Sequence, residues 1–178
     1  MICTEKKLEQ YCNMCLTVKN RSAIPLVAKE DIMVHKYIKM LNLSEKLVSY
    51  TTLYMDKKVE FDKDGICILE VPEMCGYVTL SGLGNINCRF PHKTDHYTHP
   101  VACVIVEQGI HSYADDRDVV HQPFRFSPQS IMKCVAIIPK GTRYFEGING
   151  DMVSEKLIIF KDGMETYYKA PQIVQWTI

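Results

Sequence analysis

The sequence predicts an α+β fold, a single domain dominated by a mainly antiparallel β-sheet with a few short helices. Three observations lead there. From Ala23 onward the chain breaks into short β-branched and aromatic runs separated by turn signals, whereas residues 1–22 form a polar segment carrying Cys3, Cys12 and Cys15. Two dipeptides, Asp64-Gly65 and Asn149-Gly150, sit between β-prone runs, which is the sequence mark of a tight hairpin. Two stretches carry helical marks, one near the N-terminus and one beginning at Ser112.

Taken in order, Leu8, Tyr11, Cys12 and Cys15 are spaced to stripe one face of a short helix, with a metal knuckle at Cys12 and Cys15 as the rival reading. In "DIMVHKYIKM" the residues Ile32, Val34, Lys36, Ile38 and Met40 alternate with Met33, His35, Tyr37 and Lys39, the period of a strand, and Lys36 interrupts the apolar face. "KVEFDKDGICILEV" reads as a hairpin and "CGYVTLSGLGNINCRF" as strand, Gly-rich turn and strand. "PVACVIVEQ" and "IMKCVAIIP" are apolar runs of strand length, the second stopped by Pro139. Ser112 followed by Asp115 has capping-box spacing and predicts a helix start. "IPKGTRYF" and "SEKLIIF" are expected to pair as neighbouring strands, with Gly141 supplying a positive φ in the turn before them. The tail "ETYYKAPQIVQWTI" offers two short strands around Pro171.

Composition narrows the function classes. At 178 residues the chain is long enough to bury a core without disulfide staples. Its 21 basic and 21 acidic residues cancel without clustering, so a sequence-independent grip on nucleic acid has no electrostatic footprint. No apolar run approaches membrane-spanning length, and the polar opening "MICTEKKLEQ" leads to the expectation of a protein without an export signal. The eight cysteines then read as reduced thiols, and the expected setting is cytoplasmic.

Cys12 and Cys15 form a C-x-x-C, whose gap lets both thiolates reach one zinc ion; Cys3 with Cys67, Cys75 or Cys88 would have to complete the shell. The default expectation is therefore no cofactor, with zinc as the candidate. His92, His96 and His99 crowd the segment "CRFPHKTDHYTHP" between Pro91 and Pro100, which reads as a ligand-lining loop. In "GIHSY", His111 and Tyr113 point to one side of an extended segment, where His111 suits acid–base or donor work and Tyr113 suits stacking. Lys140, Arg143 and Glu155 on the later hairpin complete the candidate ligand-binding set; their bland reading is turn and sheet architecture. P-loop, dinucleotide and nucleophile-elbow motifs are absent.

The series "AKEDIMVHKYI", "EQGIHSYADDRDV" and "KCVAIIPKGTRYFEGINGDMVSEKLII" resembles an uncharacterised family of phage and gut-bacterial proteins with A-x-x-D-I, G-[FI]-H-[SA]-[FY] and P-K-G-[ST]-x-Y segments. That resemblance implies a phage or bacterial setting and brings no activity. "IPKGT" with "SEKLIIF" is also similar to strands of ADP-ribosyltransferases, but Ser154-Glu155-Lys156 departs from their E-x-E, with Lys156 where the essential glutamate would align. The expectation is a non-catalytic binding protein of a phage or mobile element, holding a small anionic or nucleotide-like ligand or a host protein, with homo-oligomerisation open. The alternative is a nucleotide-acting transferase or hydrolase using His111 and Glu155.

Overall fold

The computed structural model describes residues 15–17, 25–41, 46–49, 58–80, 88–90, 102–114, 130–147 and 150–169. Among them no helix occurs and every strand pairing is antiparallel, so the fold is nearly all β rather than α+β. The strands are β1 (Cys15–Thr17), β2 (Leu26–Val27), β3 (Ile32–Leu41), β4 (Lys46–Ser49), β5 (Lys58–Val59), β6 (Ile66–Glu70), β7 (Cys75–Leu80) and β8 (Cys88–Phe90). They continue as β9 (Ala102–Gln108), β10 (Ile110–Tyr113), β11 (Ser130–Ile138), β12 (Arg143–Glu146), β13 (Asp151–Ser154), β14 (Lys156–Phe160) and β15 (Glu165–Tyr168).

The helix expected from Ser112 is replaced by strand β10. Ile110 to Tyr113 pair residue for residue with Ser154 to Asp151 of β13, and Ser112 is fully buried. A capping hydroxyl needs a free first turn; here ladder pairing wins over the local signal. At the N-terminus Cys15 opens β1, which pairs with β9 through Cys15↔Ile105, while Leu8, Tyr11 and Cys12 lie outside the described residues.

A small sheet runs β1-β9-β7-β8 and a large one β2-β12-β13-β10-β3-β11-β14-β6, with β15 on β11 and β4 and β5 beside β3. The spine is β3 against β11, paired from Ile32↔Ile138 to Met40↔Ser130. Alternation along it sends Val34, Ile38, Cys134, Ala136 and Ile138 to one face, where they join Cys67, Leu69, Ile110, Met152, Leu157 and Ile159 in the main core. The opposite face is buried in its β12-β13-β10 part, where Phe145, Val153 and His111 lie in one cross-strand row.

The turn residues behave as their chemistry requires. Gly65, Gly141 and Gly150 all adopt positive φ, at 75°, 85° and 83°. The hairpin arms after Gly141 are β12 and β13, closed by hydrogen bonds between Gly147 and Asp151 and between Gly150 and Gly147. "KLIIF" does not continue that pairing: the chain bends at Glu155, and β14 pairs with β6 and β11 instead.

Between β9 of the small sheet and β10 of the large one stands Gly109. A Cβ there would lie 2.5 Å from Val153 Cγ1 and 2.9 Å from Val106 Cγ1, both on fully buried side chains. Gly109→Ala is therefore expected to cost about 1–3 kcal/mol through overpacking. Denaturant unfolding checks this, and a loss under about 0.5 kcal/mol would mean that the junction is not close-packed.

Candidate functional site

The hairpin residues Arg143 and Glu155 come together, but on each other. Arg143 Nη2 lies 2.6 Å from Glu155 Oε1, and Arg143 Nε donates to Oε2 at 3.1 Å. This two-point pairing, with Glu73 Oε1 at 3.8 Å, raises the Arg143 guanidinium above its usual range, the Glu155 hydrogen bond contributing most. Oε1 of Glu155 also accepts from the Met74 amide at 3.1 Å. The Glu155 amide donates to Arg143 O at 3.1 Å, and its carbonyl accepts from the Val71 amide at 2.8 Å. Glu155 thus fastens the β13–β14 bend to β12 and to the connection between β6 and β7.

Lys140 sits on an exposed turn, its amide donating to Asp31 Oδ1 at 2.8 Å. Tyr113 packs edge-on against Tyr37, ring centroids 5.5 Å apart, within a cluster that includes Ile131, Tyr167 and Tyr168. It stacks on the protein's own aromatics. His92, His96, His99 and Cys12 lie outside the described residues, and Cys15 is the first residue of β1. Among the described residues no group of three His, Cys, Asp or Glu side chains is placed to hold a metal ion, and Cys67 and Cys134 are buried free thiols.

His111 is only 5% exposed, at the β10 end of the Phe145–Val153–His111 row. Burial, with a contribution from Lys36, holds its imidazole down at about 3, so the ring is neutral at physiological pH. Its Nε2 has no hydrogen-bond partner among the described residues. The ring is therefore buried and neutral, not the open corner at a strand end that the spacing suggests.

The sequence reading passed over Lys36 as a break in an apolar stripe. Its side chain is fully buried between Val34 and Ile38, and Nζ donates to the His111 carbonyl at 2.6 Å. Cys134 is its direct cross-strand partner on β11. Since Tyr113 pairs with His35, Ser112 falls beside Lys36 on β10, making a polar line Ser112–Lys36–Cys134 across three strands inside the core. Desolvation draws the amine down to about 7 and pushes the Cys134 thiol up to about 12. The readable signal was a cation at an inward position of a strongly alternating strand.

Compared with protein-family models, with curated proteins and with solved structures, the chain matches none. Functional argument therefore rests on the residues themselves.

His111→Ala is expected to destabilise the protein by about 1–3 kcal/mol, measured by denaturant unfolding, because it empties a buried position. The sign of the pH effect follows from the lowered pKa. A group that titrates near 6.5 unfolded and about 3 folded leaves the native state short of protons between those values, so His111 makes stability fall as pH drops from 6.5 towards 3. In the Ala variant that part of the acid sensitivity should disappear; an unchanged acid profile would place His111 in a solvated setting.

Proposed function

We propose that this is a non-catalytic binding protein of a phage or mobile element, working in a bacterial cytoplasm, and that it holds a helix of a host protein on the outer face of β3, β11, β14 and β6. One observation carries this reading. Met33 pairs with Ile137, Ile137 with Ile158, and Ile158 with Ile68, so four apolar side chains form a straight row across four adjacent strands. The ends of the row are open, Met33 at 69% and Ile68 at 56% exposure. Half-buried Val135, Phe160 and Ile66 lie alongside on the same face.

Size selects the kind of partner. With strands ~4.8 Å apart the row is about 14 Å long, and two rows cover on the order of 200–300 Å². That is far below the roughly 800 Å² per partner of a stable protein–protein interface. It suits instead about two to three turns of an amphipathic helix, whose anchors recur at a 5.4 Å pitch. Flexible Met33 at one end lets the surface adapt to different side chains. Lys156 and Glu70 face each other beside the row, and the chain has no net charge, so nothing favours a strongly charged partner.

The small-anion form of the reading has less support, because Arg143 is engaged by Glu155 and His111 is buried. A transferase or hydrolase would need His111 and Glu155 open to one substrate, and both carboxylate oxygens of Glu155 are already engaged.

The double substitution Met33→Lys with Ile68→Lys should leave the melting temperature nearly unchanged, since exposed positions cost within about 0.5 kcal/mol. Affinity capture from host-cell lysate, followed by crosslinking and mass spectrometry, should yield a partner that crosslinks at Lys156 and is lost by the double variant. Equal capture by both proteins, no capture, or crosslinks confined to other faces would contradict the reading.

A further inference from the structure

We draw no further inference here: the strongest candidate, the side-chain cluster on the outer face of the adjacent strands β3 and β10 where the buried His35 Nδ1 and His111 Nε2 have no hydrogen-bond partner among the described residues, carries nothing because nothing in the structure shows what covers it.

Discussion

Glu155 is the constraint on which the rest of the architecture depends. At this one residue the chain leaves the β12–β13 ladder and enters the β14 ladder with β6 and β11. The same place receives the β6-to-β7 connection through the Val71 and Met74 amides. Close by, Gly109 lets β9 become β10 with no side chain in the way of Val153. Each amide and carboxylate oxygen at this corner would cost about 1–3 kcal/mol if buried without a partner, so the corner is stable only as a complete set. Arg143 completes it by binding both oxygens of the carboxylate.

That arrangement answers what the later hairpin is for. Lys140, Arg143 and Glu155 suggest ligand contacts in sequence. In the fold, Ser154 is fully buried and its hydroxyl donates to Lys156 O, while Arg143 is held by Glu155. The hairpin supports the sheet. The row of Met33, Ile137, Ile158 and Ile68 lies on the other half of the large sheet.

What could be read from the sequence was local. Period-2 alternation placed β3, the turn glycines at 65, 141 and 150 found their positive φ, and Pro139 stopped β11 where expected. What could not be read was non-local. Ser112 has the spacing of a helix cap, yet β13, some forty residues later, captures β10 into a ladder. Met74 and Glu155 are 81 residues apart, and no local pattern reports that their bond exists. The apolar row appears only once β3, β11, β14 and β6 are known to be neighbours in that order. His111 reads in sequence as a corner at the end of an apolar strand; in the fold it is 5% exposed, in one cross-strand row with Val153 and Phe145. Lys36 was visible as an anomaly, but its meaning depended on finding the His111 carbonyl within reach.

The account stands or falls on whether Arg143 and Glu155 serve the fold or a ligand. A double-mutant cycle with Arg143→Met, Glu155→Gln and the combined variant, followed by denaturant unfolding, measures their coupling directly. With Glu155 at 17% and Arg143 at 35% side-chain exposure, solvent weakens the pair, and a coupling of about 1–2 kcal/mol is expected, with each single change destabilising. A coupling near zero, with both variants as stable as the unsubstituted protein, would contradict the account and return these two residues to the ligand-binding surface.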